Sequence, residues 1–207
     1  MAHIQQLRFV NFVKECLPDY FVGKRVLEIG ALDINGSVRS FFADCDYTGI
    51  DVAPGKGVDQ VARGEDFAAE ASAFDVVISC ECMEHNPMYL KTWLNMLRVL
   101  REDGLLLMTC ATFGRPQHGT STSDPAASPL TIGQGQEYYR NLGQADFEVV
   151  QLPHFFARHL FEVDHSSKDL YFLGIGAASS PEQQQRFDAL RETAKRFYEQ
   201  IARSGLG

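Results

Sequence analysis

Two groups of residues in this chain have types and spacings that could do chemistry. The first is Glu28-Ile29-Gly30 together with Asp51, which lies 21 positions after Gly30. A glycine at a turn admits a ligand to the backbone, and a carboxylate at the end of the next strand can accept hydrogen bonds from both hydroxyls of a ribose. A Gly-x-Gly-x-x-Gly turn would need glycines at 30, 32 and 35, but the chain has Gly30, Leu32 and Asn35, and Asp33 adds negative charge. A pyrophosphate is poorly served there; a nucleoside without phosphates fits. The second group is Glu81-Cys82-Met83-Glu84-His85. Offsets of three and four gather Glu81, Glu84 and His85 if the segment is helical, and two carboxylates with an imidazole are ligands for a divalent ion such as Mg, Mn or Zn. A histidine could instead act as general base, because imidazole titrates near neutrality, and His85, His118, His154 and His165 are candidates.

The elements that must position these residues alternate between strand-like and helix-like, the pattern of an α/β fold with a largely parallel sheet. Residues 3 to 17 carry Phe9, Phe12, Val13 and Cys16 at helical spacing before Pro18. Strands are expected at 25–30, 47–51, 58–61, 74–79 and 105–111, with helices over about 36–44 and 88–101. Gly114 to Gln136 holds four glycines and three prolines with almost no apolar period. So long a loop directly after the fifth strand reads as an active-site lid. Beyond it a short helix is expected at 138–142, and two late strands at 147–152 and 169–177. Ser180-Pro181 then opens a helix whose stripe, Phe187, Leu190, Ala194, Phe197 and Ile201, covers the domain's own surface or forms a homodimer contact.

Composition bounds the partners. The chain has 207 residues, and 27 acidic against 19 basic side chains leave a net charge of -8, which opposes a polyphosphate such as duplex nucleic acid. Its apolar runs are far shorter than the roughly 20 residues of a membrane span, and no secretory signal is readable. Five scattered cysteines, an odd number without a Cys-x-x-Cys pair, fit a reducing cytoplasm.

Residues 22 to 112 resemble the class I S-adenosylmethionine-dependent methyltransferases. Val26-Leu-Glu-Ile-Gly30 is similar to that family's first motif, Phe74-Asp-Val-Val-Ile-Ser-Cys80 to its fourth and Leu100-Arg-Glu-Asp-Gly-Leu-Leu106 to its fifth. One departure is that Ala31-Leu32 follows Gly30 where the family often has a second glycine. The resemblance implies one domain over 1–207, with a cofactor core at 22–112, a lid at 113–136, and acceptor-side strands and the last helix at 137–207. It implies a Rossmann-like sheet of seven mostly parallel strands with helices on both faces and the last strand antiparallel. It also implies S-adenosylmethionine as cofactor, with Glu28 and Gly30 facing its methionine part, Asp51 on the ribose, Asp66 on the adenine amine, Phe67 on the ring, and Cys80 of the fourth motif also among the cofactor-binding residues.

The Glu-x-x-Glu-His string is similar to metal sites in small-RNA 2'-O-methyltransferases and ubiquinone-pathway O-methyltransferases, where a further histidine, here His118, would complete the set. Pro153 to Lys168, with Tyr138, Tyr139, Arg140, Phe155, Phe156 and Arg158, is the expected acceptor wall. The resulting expectation is methyl transfer to a small-molecule acceptor, at oxygen. Three alternatives remain at this point: a NAD-dependent oxidoreductase sharing Gly30 and Asp51, an RNA methyltransferase with a local basic patch, and a catalytically silent cofactor-binding protein.

Overall fold

The computed structural model describes residues 4–203, with side chains described through residue 200. The apolar runs form strands β1 (Arg25–Ile29), β2 (Asp46–Asp51), β3 (Gln60–Val61), β4 (Phe74–Cys80), β5 (Leu100–Ala111), β6 (Phe156–Asp164) and β7 (Asp169–Gly176). They make one sheet in the order β3-β2-β1-β4-β5-β7-β6. Pairing is parallel from β3 through β5, and β7 runs antiparallel to both of its neighbours. The helices are α1 (Ile4–Cys16), α2 (Tyr89–Val99), two short ones, α3 (Pro129–Gly133) and α4 (Gln144–Phe147), and α5 (Pro181–Arg203).

Successive strand residues point to opposite faces, so the core has two halves. Val26, Ile78, Leu107 and Tyr171 pack with Phe9 of α1 and Phe187 of α5, whereas Leu27, Val77, Leu106 and Phe172 pack with Trp93 of α2 and Phe147 of α4. Along α5, Phe187, Leu190, Ala194 and Tyr198 are buried while Phe197 is 55% exposed. The stripe therefore covers the chain's own sheet; Ile201 lies outside the residues whose side chains are described. No helix among the described residues is long and apolar enough to cross a membrane. All five cysteines are free thiols.

Three expected elements differ. The helix expected at 36–44 is only a 3-10 turn at Val38–Phe41, capped where Ser37 Oγ accepts the Arg39 N–H. Phe42 is extended and stacks on Phe21 at 4.7 Å, which ends the turn before a helix can propagate. Residues 138–142 form no helix, because their backbone pairs elsewhere: the Arg140 N–H donates to the Glu84 carbonyl and the Leu142 N–H to that of Ala111. The strand expected at 147–152 is displaced by α4, whose start is fixed by the Asp146 carboxylate accepting the Gly143 N–H at 2.9 Å. The first late strand is β6, which follows later and sits at the edge of the sheet.

Candidate active site

Strand order reverses between β1 and β4, the position at which open α/β sheets bind ligands beyond the carboxyl ends of their strands. A cleft lies there, walled by Gly30, Asp51, Arg63 and Cys82, and roofed by residues 127–131 and Gln136. Gly30 has φ +83°, and a Cβ at that position would lie 2.6 Å from the Cys82 Cβ. Only glycine lets the β1 turn and the β4 turn approach so closely. Asp51 ends β2 with its carboxylate already oriented: Oδ2 accepts the Leu32 N–H and Oδ1 the Val52 N–H. Two amides consume one lone pair on each oxygen, which leaves acceptor capacity facing the cleft. Burial holds this carboxyl above its ordinary range despite those two bonds.

At the end of β4, Met83–His85 forms a 3-10 turn in which all three residues are buried. Glu84, His85 and His118 each bring one potential ligand atom within 4.8 Å of the others. Glu84 is fully buried, and neither of its carboxylate oxygens has a hydrogen-bond partner among the described residues. Burial, and next the nearby Glu81 carboxylate, push its pKa well up. Burial, and next His118, lower His85 to about 3, so this ring is neutral at physiological pH. Glu81 also lines the cleft, but its carboxylate accepts the Thr109 hydroxyl at 2.9 Å and stands outside this trio.

His118 reaches the trio because its loop folds back over β4. A Cβ on Gly119, at φ +65°, would lie 2.6 Å from His85 Cε1, so glycine is required where the loop crosses the ring. The Pro116 carbonyl sits 3.0 Å from His118 Nδ1, which places the proton of a neutral ring on Nδ1 and leaves Nε2 as the lone pair. Tyr139 flanks both rings, with centroids 5.6 Å from His85 and 4.8 Å from His118.

Other residues singled out in the sequence lie elsewhere. Asp66 is exposed, Phe67 packs in the α2 half of the core, and neither lines the cleft; Arg63, Gly64 and Glu65 form that wall. Glu65 is held by Asn86 Nδ2 and the Thr92 hydroxyl. Cys80 is buried in the α1 half of the core, and Cys82 is the cysteine in the cleft. His154 and His165 are exposed and away from it. Pro153 to Lys168 supplies none of the cleft lining, and Arg158 pairs with Asp188 on α5. The wall residues Arg63, Asn86 and Cys82 carried no sequence signal, because they follow a two-residue strand or sit in turns without periodicity.

Glu28 lies outside the cleft lining, 5% exposed, and accepts the Tyr47 hydroxyl at 2.9 Å. Burial raises its pKa from 4.5 to about 7, with the Tyr47 bond opposing that rise. The folded state thus keeps a proton that the unfolded chain releases, so stability falls as pH rises across this window and levels off above it. Glu28→Gln preserves an acceptor for Tyr47. It is expected to exceed the parent in stability by about 3 kcal/mol near pH 8 and to match it near pH 4. Urea melts at the two pH values test this, and equal midpoints near pH 8 would refute it.

The methyltransferase-domain family model matches residues 1–152. Among solved structures, the YcgJ protein of Bacillus subtilis superposes with a TM-score of 0.54 at 13% identity, covering 84% of this chain and 99% of that one. The PH0226 protein of Pyrococcus horikoshii gives 0.53 at 14% identity, covering 83% and 92%. The 1,6-didemethyltoxoflavin-N1-methyltransferase of Burkholderia thailandensis, solved with 1,6-didemethyltoxoflavin and S-adenosylhomocysteine bound, gives 0.50 at 14%, covering 84% and 89%. No curated protein matches at a significant level. With the family model spanning most of the chain, and a seven-stranded sheet whose antiparallel β7 sits beside β5, the chain belongs to the class I S-adenosylmethionine-dependent methyltransferase family.

Proposed function

We propose that the protein transfers the methyl group of S-adenosylmethionine to an oxygen of a small-molecule acceptor, with Glu84, His85 and His118 holding a divalent ion beside the cofactor. The observation that carries this reading is Glu84, a fully buried carboxylate without a hydrogen-bond partner among the described residues, set against two imidazoles. A buried carboxyl group without a hydrogen-bond partner is costly, and a mixed carboxylate and imidazole set is the donor chemistry of Zn, Mn or Fe more than of Mg. When bound, such an ion lowers the proton affinity of an acceptor oxygen.

The chain's own residues do the rest. Asp51 offers its remaining lone pairs to the ribose hydroxyls, and the Gly30 turn leaves room for the methionine part. The His118 Nδ1 bond fixes the tautomer that presents Nε2. The roof at 127–131 narrows the cleft and favours a small acceptor over a polymer. The acid excess likewise speaks against RNA, and the Burkholderia enzyme, with its heterocycle bound, is a precedent for a small acceptor on this fold.

Calorimetric titration with Zn, Mn and Mg is expected to show one site in the parent protein and none in Glu84→Ala or His85→Ala. Binding that survives both substitutions would exclude this trio. Incubating the protein and methyl-labelled cofactor with a cell extract identifies the acceptor. Label confined to RNA or protein would overturn the small-molecule reading.

A further inference from the structure

The roof of the cleft is tied to the cofactor wall through one side chain. Arg63 lies just past β3; its Nη1 donates to Gln136 Oε1 at 3.0 Å and its Nη2 to Gln134 Oε1 at 2.9 Å. Gln134 Nε2 in turn donates to the Val52 carbonyl at 2.5 Å, next to Asp51. These bonds join positions 71 to 82 residues apart, so they report tertiary closure and not local turn structure. Arg63 and Gln136 line the cleft, whereas Gln134 is exposed and outside it. The roof residues Ala127 to Thr131 and Gln136 line the same cleft as Gly30 and Asp51. A ligand seated against Asp51 therefore lies beneath the roof.

We infer that Arg63 is a positioning residue whose two-pronged clasp on Gln134 and Gln136 seats the roof, and that release of this clasp sets the rate of cofactor exchange. The inference rests on the cofactor reading of the cleft. The planar guanidinium suits the task because its two amino groups reach two amide oxygens at once, which a lysine ammonium on one stem cannot reproduce with the same geometry.

The experiment compares the parent protein with Arg63→Ala, Arg63→Lys and Gln134→Ala by two measurements. Subtilisin cleavage within residues 125–136, without ligand, reads the clasp itself. Stopped-flow dissociation of S-adenosylhomocysteine reads exchange. Arg63→Ala and Gln134→Ala are both expected to speed dissociation by about 10-fold, the equivalent of one charged hydrogen bond, and to speed cleavage, with Arg63→Lys between them and the parent. Gln134 is the discriminating position, since a residue outside the cleft alters exchange only through the roof. Faster dissociation in Arg63→Ala alone, with cleavage unchanged, would make Arg63 a direct cofactor contact and overturn the clasp. Unchanged cleavage in both alanine variants would also overturn it. If the parent fails to bind S-adenosylhomocysteine, the cofactor reading falls, while the cleavage rates still decide the clasp. Melting temperatures of the variants show that each is folded.

Discussion

Gly30→Ala is expected to weaken S-adenosylhomocysteine binding by about 100-fold, equivalent to about 3 kcal/mol, in a protein that still folds. Two effects add. Alanine resists the left-handed region, at a cost of about 1–2 kcal/mol, and Gly30 sits at φ +83°. The new methyl would also lie 2.6 Å from the Cys82 Cβ and 2.8 Å from its Sγ. The sulfur can rotate away, but a Cβ cannot, so the β1 and β4 turns must separate. Both turns wall the cleft, and Glu84 and His85 follow Cys82 by two and three residues, so one methyl group disturbs the ligand site and the histidine pair together. Cys82→Gly in the Gly30→Ala background removes the clash and leaves the backbone strain, and is expected to restore part of the affinity. Unchanged affinity in Gly30→Ala would show that the close approach of the two turns is not needed for binding.

What the sequence disclosed follows from how each element is buried. Strands β1, β4 and β5 are covered on both faces, so Val26-Leu27, Val76-Val77-Ile78 and Leu105-Leu106-Leu107 read as unbroken apolar runs bounded by turns. Asp51 was legible because it ends the next strand, β2, 21 positions after Gly30. β6 was not, since it is an edge strand in which Arg158, His159 and Glu162 interrupt the apolar residues and leave the pattern half-buried. Two-residue β3 sets no register, so nothing in the sequence separates Arg63 and Glu65, on the cleft wall, from Asp66 and Phe67, off it. Gln134 and Gln136 look like any solvated loop until the fold brings Arg63 between them. The approach of His118 to His85 depends on a loop crossing that only tertiary contacts determine.

Those contacts lead to the second large effect, at Asp169. This residue opens β7 opposite Ala111, the end of β5, and is fully buried. Its Oδ1 accepts Arg115 Nη1 at 2.6 Å, and the same nitrogen donates to the Ser167 carbonyl at 2.7 Å. The Arg115 carbonyl accepts Asn141 Nδ2, and the neighbouring Pro116 carbonyl takes the Tyr139 hydroxyl and faces His118 Nδ1. One ion pair therefore staples the loop that presents His118. Breaking a buried pair by removing one partner costs about 3–5 kcal/mol. Asp169→Ala is expected near the lower end, because Arg115 is 23% exposed and can rehydrate. Arg115→Ala takes the cation away from a fully buried carboxylate and is expected to cost at least as much. The double variant is expected to fall well short of the sum of the two, since both single variants remove the same ion pair. Asp169→Ala is also expected to weaken zinc binding at the Glu84, His85 and His118 trio, whereas Asp169→Asn, which keeps an oxygen for Arg115, retains most of it. Urea melts of the four-member cycle and zinc calorimetry measure these. Additive losses would dismiss the staple, and zinc affinity untouched in Asp169→Ala would detach it from the site.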